Sequence, residues 1–305
     1  MPSLLRRTAA SVLAFAALVA AGSTVPAAAA PPSPLNYVNF GDSYSAGWGA
    51  YPPTAGQNPN ITAAPCPIGG RPDQVTMLAH LKSVTLSGDY ACAGATVSAE
   101  PSIPGTPTIA QQAMLAASDG KLNPSTGLVT LTAGGNDVGF ADFVRGCAAD
   151  RTPSAVYCQA LAAQGLLVAE SLNLAGTIGT IRGAAANAQI VWLGYPHLFA
   201  QAGEPTTVVA GGGVLSPAAA TVAAAATDQF NAILADKARA AGATFVDVTA
   251  KFDGHEIGSS DPWINMVPPT SPLAPFNLHP TATGYANGYY PAMVSQIKPA
   301  QLVRP

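Results

Sequence analysis

Apolar residues gather in short runs at Leu35–Phe40, Leu128–Thr132, Ile190–Leu193 and Thr244–Val248, each followed by glycine or by polar residues. Runs of this length, rich in β-branched and aromatic residues and bounded by turn signals, predict strands. Their apolar character is continuous rather than alternating, which predicts burial on both faces, as in a parallel sheet. Between them lie longer alanine-rich stretches, clearest at Ala155–Arg182 and Ser216–Ala241, where leucine and isoleucine return on recurring faces; these predict helices. Strands separated by helices imply βαβ crossovers, and the expected fold is α/β, a three-layer α/β/α sandwich around a central parallel sheet. In such a sheet ligands bind outside the carboxyl ends of the strands, so chemistry belongs just after each strand. Two segments, Ala50–Gly70 and Phe252–Phe276, are rich in Pro, Gly and Asn and lack periodicity. They predict long surface loops near the mouth of a site.

The N-terminus stands outside this pattern. Arg6 and Arg7 precede an apolar stretch from Thr8 to about Ala21, and small residues follow at 27–30, the layout of a secretory signal cleaved after Ala29. The apolar stretch falls short of the ~20 residues that span a bilayer, and no basic stop-transfer cluster follows it. Residues 1–29 are therefore expected to be a signal peptide, the protein to be extracellular, and no transmembrane anchor is expected. Residues 30–305 contain no linker, repeat or charge block, which predicts a single domain and a monomer.

Composition narrows the partners. A net charge of -3, with 10% of residues charged, leaves no basic patch for a phosphate backbone, so nucleic acid is excluded. Export also changes the reading of the four cysteines, Cys66, Cys92, Cys147 and Cys158. An oxidising compartment favours disulfides, and three pairings are open to the sequence. Pairing Cys66 with Cys92 and Cys147 with Cys158 closes the shortest loops and is the expected arrangement, each bridge contributing on the order of 3 kcal/mol. Zinc is the rival use of cysteine, but no CxxC or HxxxH spacing occurs; no metal and no organic cofactor are expected.

Three places carry candidate chemistry. After the first strand, Gly41-Asp42-Ser43-Tyr44-Ser45 puts a serine on a strand-to-helix turn. Read alone, the pentapeptide fits a helix cap equally well, since a serine hydroxyl is a weak nucleophile without a positioned base. The G-x-S-x-G elbow of α/β-hydrolases is absent, which disfavours that fold. After a later strand comes Gly134-Gly135-Asn136-Asp137, where an asparagine amide can donate to a developing oxyanion, while Asp137 reads as the cap of a helix beginning near Val138. Near the C-terminus stands His279-Pro280, with the proline suited to a first helical turn. His80, His197 and His255 read as surface or packing residues.

Together these residues carry a resemblance. FGDSYSAGWGA, CAGAT at Cys92–Thr96, LTAGGNDVGF and LHPTATGY are similar, in that order, to the four blocks of the SGNH (GDSL-type) hydrolases, which have a flavodoxin-like fold. DPWIN at Asp261–Asn265 and the cysteine placement resemble the secreted actinobacterial lipases, esterases and phospholipases of that family. The resemblance implies an ester hydrolase acting on a small-molecule or lipid ester. Ser43 would be the nucleophile and His279 the general base, with the Ser43 and Gly94 N–H groups and the Asn136 side chain as oxyanion hole.

Two departures are visible. Relatives often carry a third disulfide with a cysteine in the loop before PWxN, and here that loop reads GHEIGSSDPWIN. Many also have an aspartate three residues before the histidine, where this chain has Phe276 followed by Asn277. A Ser-His pair without a side-chain acid is therefore expected, the ring N–H of His279 held by a backbone carbonyl, that of Phe276. Asp261 and Asp253 are the rival acids. Phospholipase A or polysaccharide O-acetyl esterase activity, and a secreted binding protein without turnover, are the alternative functions.

Overall fold

Five short strands carry the architecture: β1 (Leu35–Gly41), β2 (Val84–Asp89), β3 (Thr126–Thr132), β4 (Gln189–Leu193) and β5 (Thr244–Val246). The computed structural model describes residues 33–50, 56–98, 101–149, 155–201, 206–209, 213–266 and 276–302. The expected signal segment lies outside them. All five strands run parallel, in the order β2-β1-β3-β4-β5. β1 and β3 are buried along nearly their whole length, as their unbroken apolar runs require of strands covered on both faces.

Helices supply the two covers. α1 (Gln74–Ala79), α2 (Ile109–Ser118), α3 (Phe140–Ala149), α4 (Ala155–Ser171), α5 (Leu174–Ala184), α6 (Pro217–Ala240), α7 (Thr249–Phe252) and α8 (Tyr290–Ile297) follow the chain. α4, α5 and α6 pack side by side with α2 against α5, whereas α1 and α8 pack together and share contacts with a π-helical turn at Gly284–Tyr289. The result is the α/β/α sandwich read from the sequence.

Three local differences have physical causes. The stretch Ala155–Arg182 is two helices, because the Asn173 side chain turns back to accept from the Gly176 N–H (2.9 Å) and caps a new helix. β2 escaped the reading because VTLSGD mixes polar residues and glycine into an edge strand. The loop Ala50–Gly70 contains a small antiparallel pair, Gly56–Gln57 with Pro67–Ile68.

Strand order decides where a site can form. In a 2-1-3-4-5 sheet the winding reverses between the first and third strands, opening a crevice at their carboxyl ends. The last residues of β1 and β3 lie in register there, Gly41 opposite Thr132. Ser43 follows one strand and Asn136 the other, so the topology brings them to the same crevice.

Candidate active site

The turn after β1 is held by buried polar bonds. Gly41 has φ +134, and a Cβ there would run into Ser45 and the Thr132 carbonyl, so the sharp exit from the strand requires glycine. Gln112 of α2 closes the strand end, its Oε1 accepting from the Gly41 N–H (2.8 Å) and its Nε2 donating to the Gly41 carbonyl (3.0 Å). Beside Ser43, the buried Asp42 carboxylate accepts from the Thr132 hydroxyl (2.6 Å), the Tyr44 N–H (3.0 Å) and the Tyr195 hydroxyl. Burial pushes the Asp42 carboxyl up to about 6, against the opposing pull of the Thr132 and Tyr195 hydrogen bonds. The same burial, joined by the Asp42 charge, raises the Tyr195 phenol well above its ordinary range and keeps it a donor.

On the other side stands His279, whose Nε2 lies 2.7 Å from the Ser43 Oγ. Its loop is latched by the DPWIN segment in an antiparallel exchange: the Leu278 N–H donates to the Asn265 carbonyl (2.9 Å), and the Asn265 N–H donates to the His279 carbonyl (2.8 Å). The Asn265 side-chain amide donates to both the His279 carbonyl and the Gly49 carbonyl, each at 3.0 Å, joining the histidine loop to the serine turn. Tyr44 adds a second link, donating to the Leu278 carbonyl (2.5 Å) with its ring 5.0 Å from the imidazole. Leu278 itself has φ +69, a left-handed conformation that costs a non-glycine residue ~1–2 kcal/mol and persists where neighbours fix it.

That turn explains a difference at the histidine's outer nitrogen. Nδ1 lies 2.8 Å from the carbonyl of Asn277, one residue later than the Phe276 carbonyl expected from the sequence. With Leu278 in the left-handed region, the carbonyl two residues before the histidine faces the ring, and Phe276 acts only as a weaker second acceptor. Desolvation lowers the His279 imidazole to about 4, and the two carbonyls oppose that shift. Asp261 is engaged elsewhere, by the ring nitrogens of His255 and Trp263, each 3.2 Å away.

The third wall carries donors. Gly94 sits at φ +85 with Ile103 where a Cβ would be. Among the described residues, neither the Gly94 nor the Ser43 backbone N–H has a hydrogen-bond acceptor. Asn136 Nδ2 donates one hydrogen to the Ala95 carbonyl (2.8 Å), which leaves its second N–H to aim elsewhere. Asp137, read from the sequence as a helix cap, instead accepts from the backbone N–H groups of Val97 (3.0 Å) and Ser98 (2.8 Å). Asn136 and Asp137 thus grip both sides of the turn after Gly94.

These groups open into a cavity of about 470 Å³ bordered by Ser43, Asn136, Phe140, Arg145, Phe230 and His279. The other histidines have other company. His197 pairs with Asp228 (2.6 Å) and His255 stacks on Trp263 at 3.5 Å between ring centres. Among the described residues His197, Asp253 and Glu256 hold donor atoms within 4.8 Å of one another, a spacing a cation accepts, although His197 is already committed to Asp228. The cysteines join as Cys66–Cys92 and Cys147–Cys158; the first ties the loop before α1 to the Gly94 turn and the second ties α3 to α4.

Comparison with known proteins fits this geometry. The profile of the GDSL-like lipase/acylhydrolase family matches residues 40–286, from the serine turn through the histidine loop. The chain belongs to that family. It is 31% identical to Lipase 1 of Streptomyces coelicolor over 93% of this chain and 94% of the relative. It is also 30% identical to a lipase of Streptomyces rimosus over 94% of this chain and 96% of the relative. Among solved structures, phospholipase A1 from Streptomyces albidoflavus superposes with a TM-score of 0.65 at 31% identity, covering 87% of this chain and all of that one. The extracellular lipase of Streptomyces rimosus gives the same TM-score at 30% identity, over 86% and 99% of the two chains. As a GDSL lipase relative, this chain is a carboxylic ester hydrolase with an ester substrate.

Proposed function

We infer that the protein is an exported serine esterase or lipase that works through an acyl-enzyme on Ser43. The observation that carries this reading is the 2.7 Å contact between Ser43 Oγ and His279 Nε2 beside donors with no acceptor of their own. His279 takes the hydroxyl proton as Oγ attacks the ester carbonyl, and returns it to the departing alkoxide. The carbonyl oxygen, negative in the tetrahedral intermediate, is met by the Ser43 and Gly94 N–H groups and the free N–H of Asn136. A water then attacks the acyl-enzyme, giving its proton to His279, and the acid leaves as the proton passes to Ser43. The Asn277 carbonyl fixes the imidazole tautomer that keeps Nε2 unprotonated and aimed at serine, which is much of what a triad acid does.

Removal of residues 1–29, release as a single domain of residues 30–305, and action as a monomer without a membrane anchor complete the reading. The signal-like N-terminus supports export, as does the likeness to the extracellular lipase of Streptomyces rimosus. A second substrate reading, phospholipid esters, is favoured by the likeness to a phospholipase A1, while Arg145 on the cavity wall is paired with Asp142 of the same wall. A fluorophosphonate probe tests the mechanism directly. Wild type should be labelled on the Ser43 peptide and lose turnover in proportion, while Ser43→Ala stays unlabelled; label on another residue would overturn the assignment. A chain-length series of p-nitrophenyl esters, run beside a phospholipid and an acetylated xylan, separates the substrate classes.

A further inference from the structure

α4 is nearly free of charge, and an apolar strip on its exposed side lies between Gln159 and Gln164. A surface helix of a globular protein normally turns a polar face to water, yet the 17 residues of α4 contain a single charge, Glu170, one position from the end. Its inward residues Leu161, Ala162, Gly165 and Leu166 wall a narrow groove. Its outward positions Val156, Ala160, Ala163 and Leu167 follow the spacing of one helix face and are all exposed. Val156 and Leu167 are 71% and 73% exposed, the most open large apolar side chains among the described residues. Leu167 and its neighbour Val168 extend this apolar surface toward the C-terminal end of the helix.

A second observation speaks to what meets this face. The stretch Val156–Ala184 is long and apolar enough to cross a membrane, and only 28% of its most apolar window is buried in the fold. Crossing is ruled out by the fold itself. The stretch breaks at Leu172 and Asn173, and Cys158, Ala169, Leu174, Ile178 and Ile181 are committed to the core. A segment with membrane-like composition, one face in the core and no charge along most of the other, suits the plane of a lipid–water boundary. The groove under α4 also shares Phe140, Thr227 and Phe230 with the catalytic cavity. The groove therefore joins the inward face of α4 to the catalytic cavity.

We propose that the outer face of α4 seats the enzyme on the surface of lipid aggregates, so that water-insoluble esters pass from the aggregate to Ser43 alongside this helix. This rests on the hydrolase reading for its purpose, but the adsorption is measurable without turnover. Adsorption here is driven by apolar burial, because the outward positions of α4 carry no cation and the nearby Lys237 is bonded to the Glu170 carbonyl; it should persist at high salt.

The test uses wild type, Leu167→Glu and the double variant Val156→Glu/Leu167→Glu. Both positions are exposed, so melting temperatures should match. Partition onto phosphatidylcholine vesicles should fall at least about tenfold in the double variant, since two large apolar contacts are exchanged for charges. Hydrolysis of an emulsified long-chain ester should fall by a similar factor, while p-nitrophenyl acetate in true solution is turned over within about twofold of wild type. Equal vesicle partition by all three proteins, or wild-type binding abolished by salt, overturns the proposal. A wild-type dimer in sedimentation that Leu167→Glu converts to monomer, with vesicle binding unchanged, would assign the face to a second copy instead. Absence of p-nitrophenyl acetate turnover in wild type would count against the hydrolase reading alone, and vesicle partition would still decide the surface.

Discussion

The two halves of the Ser43–His279 pair are held in different ways. Ser43 leaves β1, an interior strand of the sheet, and its turn is fixed by a buried network in which Asp42, Ser45, Thr132 and Tyr195 bond to one another while Gln112 holds the Gly41 backbone. His279 rides on a loop whose order comes from Asn265, Tyr44 and a strained Leu278. The first inherits its rigidity from the core, and the second is latched to the first. Loss of a residue that supports Ser43 should therefore be felt mainly as stability, and loss of one that supports His279 mainly as turnover.

The comparison stands on both residues being essential, which gives the largest expected effect. Ser43→Ala and His279→Ala should each lower kcat by ~10⁴-fold or more, with little change in melting temperature. Steady-state kinetics on a soluble p-nitrophenyl ester check this, and a variant retaining a tenth of wild-type kcat would remove that residue from the mechanism. Asn136→Ala should cost ~10²–10³ in kcat with KM little changed, because its free N–H is worth most once charge has developed on the oxygen. The same substitution also removes the Asn136 bond to the Ala95 carbonyl. Asn136→Asp keeps an acceptor and removes both donors, so it should be no better than alanine.

The contrast between the halves is tested by Thr132→Val against Asn265→Ala. Thr132→Val removes a hydroxyl from the Asp42 network and should lower stability by ~1–3 kcal/mol while kcat stays within a few-fold. Asn265→Ala frees the histidine loop from Gly49 and should lower kcat by ~10–10², since small misplacements of a base are costly. Urea unfolding and kcat measured on both variants decide it. Equal effects on both quantities would mean that the two halves are one rigid unit.

Much of this site was legible in the sequence because its chemistry sits in contiguous blocks. Gly41-Asp42-Ser43, Asn136 and His279-Pro280 follow elements whose apolar runs or proline announce them, and parallel topology brings the ends of β1 and β3 together. What the blocks could not reveal is how they touch. Asp137 before an apolar run reads as a helix cap, and only the fold places the Val97 and Ser98 N–H groups on its carboxylate. Tyr44 to Leu278 spans 234 positions, beyond any local pattern. That the Asn277 carbonyl meets His279 Nδ1, with Phe276 as a second acceptor, goes with a left-handed leucine between them and the histidine, a conformation that nothing in the identity of leucine signals.

The pH profile sharpens the histidine half. Burial holds the His279 imidazole near 4, below its ordinary value, so the neutral base survives as pH falls and is lost only as pH drops through about 4. The imidazole's own contribution to kcat/KM should be level from neutral pH to about 5 and fall below that. Asp42, raised to about 6, loses its proton above that pH and can add a separate step. A step near 6 that vanishes in Asp42→Asn belongs to the carboxyl, and the one remaining near 4 to the imidazole. A single acid limb at 6.5 or above, unchanged in Asp42→Asn, would mean that a carboxylate stabilises the imidazolium.

The smallest expected effect is the one that most directly tests how His279 is oriented. Asp261 is the nearest acid in the preceding loop by sequence, and a triad aspartate is worth up to ~10⁴ in kcat because it stabilises the imidazolium as well as the tautomer. In this protein its carboxylate meets His255 and Trp263, while Nδ1 of His279 is occupied by the Asn277 carbonyl. Asp261→Asn can still accept from the Trp263 indole, so the stacked pair of His255 and Trp263 should survive, and with it the Ile264–Pro280 bridge that carries the histidine. Turnover should stay within about threefold of wild type, the scale of a perturbed loop contact rather than a lost catalytic charge. Asp253→Asn should behave alike, its carboxylate lying near His197 and Glu256. If Asp261→Asn lost a thousandfold in kcat while remaining folded, the loop would have to close over the histidine during catalysis. The latch would then be a moving part, with its acid supplied only when substrate is bound.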